Sequence, residues 1–144
     1  YTDKFVGKTQ INLNLANDKK ISFDLESSDK TELLKNSDFV SLHVPAQKSY
    51  VIGKNEFNLM KTGAGLINAA RGGVVDEKSL IESLDSGKLA FAGVDTFENE
   101  PKPSVKLLMH PKVSLTPHIG AATNEAQDRI GIELANQIMT LVKE

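Results

Sequence analysis

The chain has 144 residues, 40% of them apolar and 25% charged, with a formal net charge of −2 and no cysteine. That size and composition fit one globular domain, and the near-neutral balance gives no electrostatic footing for nucleic acid or an anionic membrane. No apolar run is long enough to span a bilayer, and the lack of cysteine excludes disulfides and thiolate metal sites and suits a cytoplasmic setting.

Two alternating runs, INLNL (11–15) and ISFDL (21–25), flank the polar stretch ANDKK (16–20). They predict a β-hairpin with one face covered. Ser27 or Ser28 is placed to cap a short helix ending near Asn36. FVSLHV (39–44), stopped by Pro45, reads as a short buried strand. A brief helix follows at 55–61, with Phe57 and Met60 on one side, and Gly63 and Gly65 break it. GLIN (65–68) is an apolar strand that runs into a polar turn holding Arg71, one of only two arginines, and a pair of glycines. Asp76 then caps a helix over 77–86, with Leu80, Ile81 and Leu84 on one face and Gly87 as its stop. LAFAGVD (89–95) is another buried strand. Residues 97–111 carry three prolines and read as loop with one helical turn at 105–109, and VSLT (113–116) is a last strand halted by Pro117. From Thr123 onward Ala126, Ile130, Leu134 and Ile138 recur every four residues, which predicts a long amphipathic helix with a buried stripe. Strands alternating with helices imply an α/β domain, with a mostly parallel sheet covered by helices on both faces and a β-hairpin near the N-terminus.

In open α/β sheets ligands gather beyond the carboxyl ends of the strands. Four predicted strands end in polar residues: His43 before Pro45, Asn68 leading to Arg71, Asp95, and Thr116 leading to His118. Parallel pairing would bring these ends to one edge, with Glu100 on the loop between Asp95 and His118. Arginine binds a carboxylate through paired hydrogen bonds. Histidine exchanges a proton near neutral pH, and a carboxylate on its far ring nitrogen fixes the tautomer and favours the imidazolium. Hydride transfer between a 2-hydroxy and a 2-keto acid needs those three functions. Taken singly, each residue also has a plainer reading. Arg71 and Glu100 can be solvated loop residues, His118 a capping residue, and His43 a packed strand residue.

Four ordered motifs, SDFVSLHVP (37–45), INAARGGVVDE (67–77), GVDTFENEP (93–101) and LTPHIGAATNE (115–125), resemble the D-isomer-specific 2-hydroxyacid dehydrogenases. The resemblance implies a Rossmann-type NAD-binding fold and reversible NAD-dependent oxidation of a D-2-hydroxy acid to a 2-keto acid, with 3-phosphoglycerate the favoured substrate. By that resemblance Arg71 would bind the substrate carboxylate and carbonyl, His118 would be the general acid/base, and Glu100 its ring-nitrogen partner. Asp95 would hold the nicotinamide carboxamide. The backbone at Ala69 and Ala70 and the turn of His43, Val44 and Pro45 would line the cofactor, with Arg71, His118 and Gly120 beside it. Asp3 would match the acid that ends the family's second strand and binds the ribose, which favours NAD over NADP.

The family's G-x-G-x-x-G turn has no counterpart, since no glycine precedes Gly7. The chain is therefore expected to be the later part of a dinucleotide-binding domain, lacking that turn and the substrate domain, and on its own to bind NAD poorly and turn over weakly. The parent protein is expected to be a homodimer, with the helix at 123–141 packed on the sheet. Some relatives use the same fold as NAD-sensing corepressors, which gives the alternative function.

Overall fold

The computed structural model describes residues 1–3 and 5–142. It opens with an antiparallel pair, β1 (Lys8–Asn14) and β2 (Lys20–Glu26), joined through a 3-10 turn at Ala16–Asp18. Alternation sets the register, so that Ile11 lies opposite Phe23 and Leu13 opposite Ile21. Among the described residues nothing supplies the expected cover over this apolar side, and the four side chains are 42–48% exposed. The hairpin forms a two-stranded sheet of its own. Period-two patterning specifies which side chains share a face, not what lies against it.

The rest of the chain alternates. α1 (Lys30–Asn36), β3 (Phe39–Leu42), α2 (Lys54–Leu59), β4 (Ala64–Asn68), α3 (Glu77–Asp85), β5 (Leu89–Val94), α4 (Val105–Leu108) and β6 (Val113–Leu115) lead to the final helix α5 (Asn124–Val142). Asp29, not Ser27 or Ser28, caps α1, its carboxylate accepting from the amides of Thr31 and Glu32. The two serines instead tie the segment to Asp3 and Tyr1. Asp76 caps α3 as expected, accepting from Lys78 and Ser79, and Gly87 follows at φ +77°, a value glycine reaches without steric cost.

Strands β3, β4, β5 and β6 form one parallel sheet in that order. Val40, Leu42, Leu66, Ala92 and Val94 pack with Leu34, Phe57, Leu80 and Leu84 of the helices into a single core. Among the described residues no layer covers the opposite face, contrary to the expected double layer: Phe39 is 68% exposed, Ile67 and Phe91 each 40%. On that face the Phe91 ring lies over Gly65 and 6.0 Å from the Phe39 ring.

Helix α5 also departs from expectation. Only Ala126 in its first turn is buried, while Ile130, Leu134 and Ile138 are 51–55% exposed. An apolar stripe records a capacity for burial, and no described residue occupies it. Among the described residues no helix is long and apolar enough to cross a membrane.

Candidate active site

Parallel pairing aligns the strand ends. Leu42 lies beside Asn68, Asn68 beside Val94, and Val94 beside Leu115, so all four carboxyl ends finish at one edge. With neighbouring strands about 4.8 Å apart, the ends of β4 and β6 are about 10 Å apart.

The first segment at this edge is the turn after β4. Buried Asn68 folds it: Oδ1 accepts from the Ala70 amide at 3.2 Å, and Nδ2 donates to the Arg71 carbonyl at 3.2 Å. Arg71 is exposed and uses Nη1 to donate to the Ala70 carbonyl at 2.6 Å. Its guanidinium makes no other hydrogen bond among the described residues, and most of its five donors remain available. A Cβ at Gly72 would sit 1.9 Å from the Phe97 carbonyl oxygen, so the turn packs backbone to backbone on the loop that follows β5.

Asp95, buried at the end of β5, organises the second segment. Its Oδ1 accepts from the Thr116 hydroxyl at 2.6 Å and the Ile119 amide at 2.9 Å, and its Oδ2 accepts from the Gly120 amide at 3.0 Å. Burial pushes the Asp95 carboxyl up. The Thr116 hydroxyl, the two amides and nearby His118 outweigh that and hold it below the usual aspartate range. The chain thereby wraps around one carboxylate, and His118 in the middle of the wrap takes φ +57°, uncommon for a residue with a side chain.

His118 Nδ1 lies 2.8 Å from Glu100 Oε2, and Glu100 Oε1 accepts from the Phe97 amide at 2.9 Å. The Phe97 amide first, and then His118, hold the Glu100 carboxyl below the usual glutamate range. An anionic Glu100 assigns the proton to Nδ1. Nε2 has no hydrogen-bond partner among the described residues, which leaves it free to exchange a proton. A cleft of about 480 Å³ opens beside the pair, with Phe97, Pro101, Leu108, Leu115 and Pro117 supplying most of its wall. Contacts thus run without a break from the Arg71 turn through Gly72, Phe97 and Glu100 to His118.

The remaining predicted residues divide. His43 is exposed at the end of β3, with Nε2 2.8 Å from the Ser41 hydroxyl, so the packed-strand reading does not hold. Val44 is half-buried, Pro45 and Ala69 are exposed, Ala70 is buried, and all four adjoin the same edge. Asp3 is not at the end of a strand as expected. Residues 1–3 form no strand, and the Asp3 Oδ1 closes a turn by accepting from the amides of Phe5 and Val6 at 2.7 and 2.9 Å, which hold its carboxyl below the usual range. No hydrogen bond joins Asp3 to the sheet edge among the described residues. Asn68 and Thr116, named from the sequence only as polar strand ends, and Gly72 carry structural duties here that the sequence reading did not assign. Their signal was position: a small or polar residue where an apolar strand stops.

A parallel sheet whose carboxyl edge gathers an exposed guanidinium and a carboxylate-backed imidazole has the layout of a dinucleotide-dependent α/β domain. Residues 8–120 match the family described as D-isomer specific 2-hydroxyacid dehydrogenase, NAD binding domain, and the chain belongs to that family. It is 47% identical over 119 residues to a hydroxypyruvate reductase of Thermotoga maritima, covering 79% of this chain and 39% of that protein. It is 45% identical over 114 residues to a D-3-phosphoglycerate dehydrogenase of Archaeoglobus fulgidus, covering 77% of this chain and 22% of that one. The solved structure of a D-lactate dehydrogenase from Aquifex aeolicus, complexed with NAD and lactic acid, superposes with a TM-score of 0.64 at 36% identity, over 81% of this chain and 40% of that one. The chain therefore spans about two fifths or less of the length of these relatives.

Proposed function

We propose that the protein carrying this chain interconverts a D-2-hydroxy acid and its 2-keto acid with NAD. The observation that carries this reading is the His118–Glu100 pair, with Nε2 free, at the sheet edge that also presents Arg71. NAD, when bound, supplies the acceptor for the hydrogen and electron pair leaving C2. Arg71 forks the substrate carboxylate and the neighbouring C2 oxygen. His118 Nε2 takes the hydroxyl proton on oxidation and returns it on reduction, and Glu100 stabilises the imidazolium formed in between.

The donor set also suits the cofactor. Asp95 Oδ1 is saturated by two donors, whereas Oδ2 receives one and retains an acceptor direction for a carboxamide N–H. We assign Ala69, Ala70, Gly120 and the turn of His43, Val44 and Pro45 to the surface around that ring. Asp3, whose Oδ2 takes no hydrogen bond among the described residues, is assigned to the ribose hydroxyls, where its charge would repel the extra phosphate of NADP. Hydroxypyruvate, 3-phosphoglycerate and lactic acid, drawn from the relatives' names, share only the part that Arg71 and His118 address. 3-Phosphoglycerate is the substrate proposed first, in a cytoplasmic homodimer.

The test is a screen of the gene's full-length product against D-2-hydroxy acids with NAD, following NADH formation. Turnover of at least one such acid is expected. A protein that binds NAD yet turns over none of them would overturn the reading.

A further inference from the structure

Helix α3 begins with a buried acid. Glu77, 7% exposed, occupies its first position, just after the Asp76 cap. The first amides of a helix have no partner within it. The Glu77 amide finds one outside, donating to Glu98 Oε1 at 2.9 Å, and in exchange the Glu98 amide donates to Glu77 Oε1 at 2.7 Å. Two segments 21 positions apart thus trade carboxylate for amide in both directions.

These segments carry the two halves of the site. Glu77 closes the stretch that starts at the Arg71 turn, and Glu98 lies two positions before Glu100. Between them, Gly72 admits the Phe97 carbonyl where a Cβ would intrude to 1.9 Å. We infer that Glu77 and Glu98 act as a positioning latch, holding the Arg71 turn at a fixed register against the loop of Glu100 and, through Glu100, against His118. The inference rests on the dehydrogenase reading above.

The latch is an unfavourable way to gain stability alone. Burial pushes the Glu77 carboxyl up, the Glu98 amide pulls it down, and the Glu98 charge pushes it up again, with a net rise. Neither carboxylate has a Lys or Arg partner among the described residues. The Tyr50 phenol faces the same acids, and the charge of Glu98 first, then those of Asp76 and Glu77, keep it neutral to higher pH. Like charges side by side are tolerated here because each completes the other segment's backbone hydrogen bonding, and what that fixes is register.

The test uses the full-length product with Glu98→Gln, Glu98→Asp and Glu98→Ala, each also in a His118→Ala background. Glutamine keeps an acceptor at the same reach, so kcat/KM for the 2-keto acid should stay within about threefold of wild type. Aspartate keeps the charge but is one methylene short, so kcat/KM should fall by about tenfold or more, with NADH affinity within about twofold. In the His118→Ala background the Asp substitution should cost no more than about threefold, because no imidazole remains to be aligned. A Gln variant as impaired as Asp, an Asp variant with wild-type kcat/KM, or an Asp defect undiminished without His118 would each overturn the latch. The Gln and Asp contrast decides the matter if the alanine variant does not fold. Wild-type protein that turns over no 2-hydroxy acid would instead bring down the dehydrogenase reading, and the latch with it.

Discussion

Glu100 holds His118 with one carboxylate oxygen at 2.8 Å and is itself held by the Phe97 amide on the other at 2.9 Å. The imidazole's partner is therefore anchored to backbone rather than left to rotate. Removing the imidazole should cost about 10²–10⁴ in kcat/KM, the usual share of a general acid/base. Glu100→Gln should cost about 100-fold or more, because the amide can present a donor to Nδ1 and favour the wrong tautomer. Because the Glu100 carboxyl lies below its ordinary 4.5, it stays anionic throughout the neutral and mildly acidic range. Steady-state rates of the two variants between pH 5 and pH 9, a working range of about two units either side of neutrality, would check this; a fully active Glu100→Gln enzyme would refute it.

Among the described residues Arg71 makes one guanidinium hydrogen bond, to the Ala70 carbonyl. Arg71→Ala should raise KM for the acid and lower kcat/KM by about 10²–10³, as expected for loss of a forked, charge-assisted contact. Arg71→Lys should recover only part of that, since an ammonium cannot make the two parallel bonds. Affinity for NADH, measured by fluorescence titration, should change little in either variant. Equal loss of cofactor and substrate binding would count against the assigned role.

Stability should depend on acid in two opposite ways. The Asp95 carboxyl is lower in the fold than its ordinary 3.8, so its contribution is complete above that value and is lost as pH falls through the folded value. Glu77 runs the other way. Its folded value lies above 4.5, so the ionised form weakens the fold near neutrality, and the strain is relieved as pH falls through the raised value. Melting temperature should therefore rise slightly on mild acidification before dropping steeply below about pH 4. Glu77→Gln should abolish the rise, keep the drop and melt no lower than wild type at about pH 7. A rise that survives the substitution would show that Glu77 is not its source.

Two glycines test how rigid their surroundings are. Gly72→Ala would drive a methyl to within 1.9 Å of the Phe97 carbonyl, which is backbone and cannot swing aside. Overpacking of that kind should cost about 1–3 kcal/mol or more and disturb the site as well. Gly65→Ala meets the Phe91 ring at 2.5 Å, but that ring lies on the open sheet face and is 40% exposed. It can rotate outward, so the cost should stay below about 1.5 kcal/mol. Denaturant unfolding of the two variants would separate them, and a Gly65→Ala loss as large as that at Gly72 would contradict this account.

Local pattern was enough for the elements whose physics is local. The β-branched run around Val40, the Asp76 cap and the four-residue recurrence of α5 each announced themselves. Burial was less legible, because Ile11, Phe39 and Ile130 have the residue type of an interior without a described layer to enclose them. Similarly, Arg71, Glu100 and His118 could be picked out as strand-end chemistry. The family resemblance implied the Glu100–His118 contact, but the other contacts that hold them were not legible, since Thr116 meets Asp95 across 21 positions and Gly72 meets Phe97 across α3 and β5, and no periodicity encodes such meetings.

At His118 two requirements pull apart. A backbone at φ +57° asks for glycine, and any side chain there costs roughly 1 kcal/mol, yet only the ring can ferry a proton. His118→Gly would loosen that bend while leaving a socket lined by Glu100, into which free imidazole could diffuse and restore turnover; His118→Ala would vacate the socket but keep the bend under tension. The three donors gathered by Asp95 are what let a histidine live at a glycine's address.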